Sequence, residues 1–140
     1  RGKKKLAKLL YFVDFDFFEK YQKYLTGEIY KALPMGPFPV ALEDITAGMA
    51  DKKTIALETT KEHGDYRPTE IYRCLVNPDE SIFSAEEIKI LDRVVIKYGH
   101  LNGKQLEELS HAEAPYVGTE PSKIIPYELS FYRGTDFNDL

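Results

Sequence analysis

Lys5-Leu6-Ala7-Lys8-Leu9-Leu10-Tyr11-Phe12-Val13-Asp14-Phe15-Asp16-Phe17-Phe18-Glu19-Lys20-Tyr21-Gln22-Lys23-Tyr24 has the spacing of a helix and is apolar on every side. At about 100° per residue, Leu6, Leu9, Leu10, Val13, Phe17, Tyr21 and Tyr24 share one face, enough to cover a core. Tyr11, Phe12, Phe15 and Phe18 point largely the other way, with Lys8 among them. A helix that is apolar all round is either sunk in the core or lends its second face to a partner. No residue on it is an obvious catalyst, so the stretch points to binding.

Working outward, the rest of the chain suits one domain. It has 140 residues, 43% hydrophobic and 30% charged, enough to bury a core of its own. A net charge of −4 argues against broad, non-specific binding to nucleic acid. The charge is uneven, because Arg1, Lys3, Lys4, Lys5 and Lys8 crowd one end. At a helix N-terminus these cations oppose the macrodipole, so they are read either as a solvated, fraying end or as an anion or partner contact. Cys74 is the only cysteine, which rules out an intrachain disulfide and suits a reducing compartment. No run approaches the roughly 20 apolar residues a membrane span needs, and a cytoplasmic location is expected. A start at Arg1 rather than Met leaves room for a segment upstream.

Beyond the first helix, Thr26-Gly27 is expected to stop it, and Glu28–Leu33 reads as a short strand. Pro34-Met35-Gly36-Pro37-Phe38-Pro39 reads as a stiff loop, with Pro39 in the first turn of a helix over about Val40–Lys52. That helix would turn Ala41, Leu42, Ile45 and Met49 inward. Thr54–Thr59 and Glu70–Leu75 read as an antiparallel pair around a turn at His63-Gly64-Asp65. Ser84 and Glu87 form a capping-box signal for a helix to about Gly99, with Ile88, Leu91, Val94, Val95 and Tyr98 inward. Asn102 caps a shorter helix to about Ser110, with Leu106 and Leu109 inward. A further short helix fits Tyr127–Arg133, and residues 134–140 read as a loose tail. The expected fold is α+β: a mainly α-helical single domain with a small antiparallel β-sheet covered by helices.

Tests for chemistry come back empty. His63, His100 and His111 have no metal-site spacing, and Leu109-Ser110-His111-Ala112-Glu113 lacks the second histidine of a zinc helix. Cys74 lacks a C-x-x-C partner. The hydrolase elbow, the Walker loop and the dinucleotide glycine pattern are all missing. Asp14 and Asp16, two apart on a helix, face different directions. An enzyme, a metal and a cofactor are therefore not expected. The helices around 85–99 and 103–110 have the connection length of a helix-turn-helix. Lys104 and Gln105 could reach bases, but Glu107 and Glu108 would repel phosphates. That keeps a DNA-binding regulator as an alternative.

Several segments together resemble a known family. Lys8-Leu9-Leu10-Tyr11-Phe12-Val13-Asp14-Phe15 leads into Thr26-Gly27 and Tyr30-Lys31-Ala32, then Gly36-Pro37-Phe38-Pro39. Leu109-Ser110-His111 and Pro115-Tyr116 follow much later. This order resembles the Panacea (SocA-like) antitoxin domain of bacterial and phage toxin–antitoxin loci, over roughly Lys5–Arg133. Tyr116 stands where such domains often carry Trp, and its ring can fill much of the same space. The resemblance implies a non-enzymatic protein that neutralises a cognate toxin encoded in the same locus. It also implies a second mode, an adaptor that delivers the toxin to the ClpXP protease. Large, rigid aromatics dominate interface hot spots, which makes Tyr11, Phe12, Phe15 and Phe18 candidates for toxin contact unless the helix is sandwiched. Thr26, Gly27, Gly36, Pro37, Pro39, Ser110 and His111 carry the family pattern and are read as structural.

Overall fold

The computed structural model describes residues 2–59 and 70–140. The expected turn at His63-Gly64-Asp65 lies outside them. Around one long helix, α1 (Lys3–Tyr21), the chain arranges β1 (Tyr30–Leu33), β2 (Gly36–Pro39), α2 (Leu42–Asp51), β3 (Ile55–Thr59) and β4 (Glu70–Cys74). There follow a 3₁₀ turn at Glu80–Ile82, α3 (Ala85–Tyr98), α4 (Gly103–His111), α5 (Ala114–Val117) and a 3₁₀ helix at Tyr127–Tyr132. The fold is α+β in one compact domain, with two separate two-stranded antiparallel sheets in place of one.

The hub is α1. It meets α3, α4, β2, β4 and the Tyr127–Tyr132 turn, and every residue from Tyr11 to Phe18 is buried. It ends earlier than Thr26-Gly27: Gln22 takes the left-handed cap conformation at φ 57°, and its N–H bonds the Phe18 carbonyl. Gly27 does adopt a positive φ of 73°, but in the loop that follows.

Within the proline-rich segment Pro34-Met35 form a turn, but Gly36–Pro39 are a strand rather than a loop. Tyr30 pairs with Pro39, Lys31 with Phe38, Ala32 with Pro37 and Leu33 with Gly36. Pro37 and Pro39 have no N–H to donate, which an edge strand tolerates. The inner neighbour β1 turns its other side to residues 122–125: Ala32 N–H donates to the Lys123 carbonyl, and Ile125 N–H to that of Tyr30, at 2.9 and 2.8 Å. Pro39 is therefore outside α2. The second pair, β3–β4, forms as expected, with Ile55 opposite Cys74 and Thr59 opposite Glu70.

Both capping boxes form, Ser84 with Glu87 and Asn102 with Gln105, because each is satisfied within one turn. The inward faces match less well. Val95, Leu109, Ile45 and Met49 are exposed, while Ile90, Arg93 and Thr46 are buried in their elements. Helix α3 leans on α1, and α4 on α1 and β2, so their buried faces are set by α1 rather than by each other. Residues 134–140 are not loose. Thr135 donates from N–H and Oγ1 to Glu19, Asp139 accepts from Arg93, and Phe137 packs on the core.

Candidate functional site

The four aromatics expected to meet a partner are inside. Tyr11 and Phe15 are fully buried, Phe12 is 1% exposed and Phe18 8%. Phe12 stacks on Tyr98 of α3 at 4.1 Å between ring centroids, and Phe15 stacks on Tyr127 at 4.6 Å. Phe18 lies 5.4 Å from both Tyr127 and Phe131. The C-terminal segment covers the face that the sequence leaves open, so these four side chains build the core. Tyr24, counted on the inner face, lies beyond the helix end and is 58% exposed.

The polar residues of α1 anchor it. Asp14, fully buried, accepts from Thr26 N–H and Oγ1–H at 2.9 and 2.6 Å and from Tyr30 O–H at 2.5 Å. Asp16, also fully buried, faces two guanidiniums: Arg93 Nη1 at 2.6 Å and Arg133 Nη1 at 2.8 Å. Arg133 also grips Glu113 through Nε and Nη2, and reaches Glu19. Burial alone would pull the Arg133 guanidinium down, but Asp16 and then Tyr11 and Glu113 hold it above its ordinary value. Tyr11 closes the network by donating to Glu113 at 2.7 Å, and burial first, then Glu113, raises its phenol well above the usual range. Asp14 and Asp16 face different sides of α1, and each is a structural anchor that sequence spacing does not reveal.

The separated motifs meet in space. Gly36 has a φ of +110°, and a Cβ there would lie 2.8 Å from Lys8 Cε and 2.9 Å from Ser110 Oγ. No side chain fits, so Gly36 is required for β2 to approach α1 and α4. Lys8 Nζ donates to the Pro37 carbonyl at 3.1 Å, and Ser110 Oγ–H to that of Glu107. His111 stacks on Tyr116 at 4.6 Å, and Tyr116 O–H donates to the Leu33 carbonyl at 2.6 Å. Pro37 and Pro39 are both buried. Lys8, Gly36 and Ser110, one from each of three distant motifs, thus form a single packed junction.

The family model described as antitoxin SocA-like, Panacea domain, matches residues 6–116. The chain belongs to the SocA-like Panacea domain family. No curated protein and no solved structure shows a significant match to it. The matched span of this Panacea domain contains Asp14, Thr26, Gly36 and Ser110, and it ends before Tyr127 and Arg133.

What the domain shows on its surface differs from what the sequence nominates. Tyr24, Ile29 and Ile124 line one shallow groove, and Tyr24 and Phe131 flank the buried Phe18 ring. Tyr24, Ile29, Ile124 and Phe131 are each between 46% and 58% exposed. A run of periodicity could not find this patch, because its members come from three segments. On α4, Leu106 and Ser110 are buried, and Gln105 is committed to its capping box. Among the described residues, no group of three His, Cys, Asp or Glu could hold a metal ion.

Proposed function

We propose that this protein is a non-enzymatic antitoxin that neutralises a cognate toxin, encoded in the same locus, by binding it directly in the cytoplasm. Membership of an antitoxin-like family supports the class of function. The single observation that carries direct binding is the aromatic and aliphatic patch of Tyr24, Ile29, Ile124 and Phe131. It rests on Phe18 and Tyr127, so its rings are held in place before any partner arrives. Contiguous exposed apolar surface of this kind marks interaction sites, and tyrosine is enriched in their hot spots. None of the described helices is long and apolar enough to cross a membrane.

The alternative of a DNA-binding regulator draws less support. The would-be recognition helix α4 ties Gln105 into its capping box, pairs Glu107 with Lys4 at 2.5 Å, and exposes Glu108, whose charge would repel phosphates. The test is co-expression with the product of the adjacent gene, scoring host growth and co-purification together. Rescue with a stoichiometric complex is expected, and Tyr24→Asp with Phe131→Asp should abolish both while the protein stays folded. Rescue accompanied by ClpXP-dependent loss of the toxin would assign delivery to the protease instead of blockade.

A further inference from the structure

A groove of about 770 Å³ lies at the N-terminal end of α1. Lys3, Lys4, Lys5 and Lys8 line it from α1, and His100 lines it from the loop before α4. Phe38, Met35 and Leu101 add apolar lining. This volume falls in the range of small-molecule sites, roughly 300–1,000 Å³.

The lysines are not equally satisfied. Lys3 is paired with Glu43 and Lys4 with Glu107, while Lys5 donates to the Gly99 carbonyl at 2.6 Å. Lys8 is the exception. Its side chain is 1% exposed, and among the described residues its ammonium, with three donors, has one acceptor in hydrogen-bond contact, the Pro37 carbonyl. Burial first, then the charge of Lys4, pulls its pKa down to about 8. Among the described residues no carboxylate touches this desolvated cation, so its charge favours an anion in the groove beside it. Helix α4 starts at the same groove: Gly103 lines it, and the N–H groups of Gly103 and Lys104, ahead of the capped Gln105, have no intrahelical acceptor.

We infer that this groove binds a small phosphorylated ligand of nucleotide size, its phosphates at Lys5, His100 and the start of α4, with the buried Lys8 charge behind them, and its flat ring against Phe38 and Met35. An extended nucleic acid fits less well, because Glu43, Glu70 and Glu107 stand around the lysines and would face its flanking phosphates. The inference rests on the groove alone and is independent of toxin binding.

Calorimetric titration of the whole chain tests it with four probes: ADP, inorganic pyrophosphate, adenosine and a short DNA duplex. ADP should bind saturably, pyrophosphate more weakly, and adenosine and the duplex not measurably. Lys5→Ala should weaken ADP by about tenfold, the loss of one charge-assisted contact. His100→Ala should weaken it less, and Lys89→Ala, in the first half of α3 and away from the groove, should leave it unchanged. Lys8→Met can fail to fold, so the exposed His100 and half-buried Lys5 carry the test. The inference falls if ADP shows no saturable binding into the millimolar range, if Lys5→Ala and His100→Ala bind as the parent does, or if the duplex displaces ADP.

Discussion

Asp14 and Asp16 sit two residues apart on the same helix, and both are fully buried, yet the two sides of α1 satisfy them in opposite ways. Asp14 uses neutral donors from the loop that immediately follows, Thr26 and Tyr30, 12 and 16 residues on. Asp16 uses two guanidiniums, the nearer in sequence 77 residues away. One side is a local clasp that closes the α1–β1 connection. The other is a long-range ionic knot that closes the chain, drawing in α3, the Tyr127–Tyr132 turn and the last residues. The lesson is that a buried carboxylate does not announce its partner type: the helix geometry separates the two by about 200°, and whatever the fold brings to each side must supply the donors.

Breaking the ionic side should cost most. Arg133→Met leaves Asp16, Glu19 and Glu113 without their shared cation, and about 3–5 kcal/mol of unfolding free energy should be lost in urea titrations. Adding Asp16→Asn to it should recover part of that loss, because the uncompensated charge is then gone. A double mutant as unstable as the sum of the singles would deny the coupling. Asp14→Ala should cost less, about 1–3 kcal/mol, since its partners are neutral and Thr26 can turn to water. If the two sides lose equal stability, the contrast drawn here is wrong.

Ending the chain at Gly134 sharpens the same contrast. It removes the Thr135 and Asp139 contacts but spares Arg133, and a loss of about 1–2 kcal/mol is expected, confined to the ionic side. Thermal melts of Asp14→Ala with and without the truncation should then be additive, because the two sites share no partner.

The pH response separates the sides further. Burial raises the Asp14 carboxyl above its ordinary value of 3.8, and the Thr26 and Tyr30 donors pull it only part of the way back. A raised folded pKa means that the native state holds the proton more tightly than the unfolded chain. Its contribution is therefore fully present below the ordinary value and is lost as pH rises through the raised one. The stability of the parent relative to Asp14→Asn should grow as pH falls from neutral toward about 4. The smallest effect belongs to the surface: Tyr24→Asp should change stability by no more than about 0.5 kcal/mol while removing toxin binding. A large loss of stability would make Tyr24 part of the core and withdraw it from the interface.

How far the residues could be read follows the same division of local and distant. The Ser84–Glu87 box, the Asn102 cap and the β3–β4 pairing were legible, because donor and acceptor lie within a turn or in adjoining segments, whereas the Gln105 half of the second box came only with the structure. The strand at Gly36–Pro39 was not, since prolines argue for a loop until a neighbour shows that theirs is an edge. The Lys8–Gly36–Ser110 junction was visible only as motifs in an order. The aromatic residues suited to an interface were chosen for their type, and the fold assigned the type to the core.

The sequence by itself determined that α1 would be buried or partnered on all sides, that the class would be α+β, and which family the motifs belong to. The first two follow from periodicity, turn chemistry and residue type, and the third from the likeness of its motifs, in their order, to a known family. Only the tertiary structure decided which of the two fates α1 meets. The segment from Ser122 to Leu140 returns to cover Phe15 and Phe18 and to neutralise Asp16, and no local signal encodes that return. Burying two ring faces and one carboxylate at once requires groups far apart in sequence to arrive together, and their meeting leaves Tyr24 and Phe131 at the surface in place of the aromatics the helix pattern had nominated.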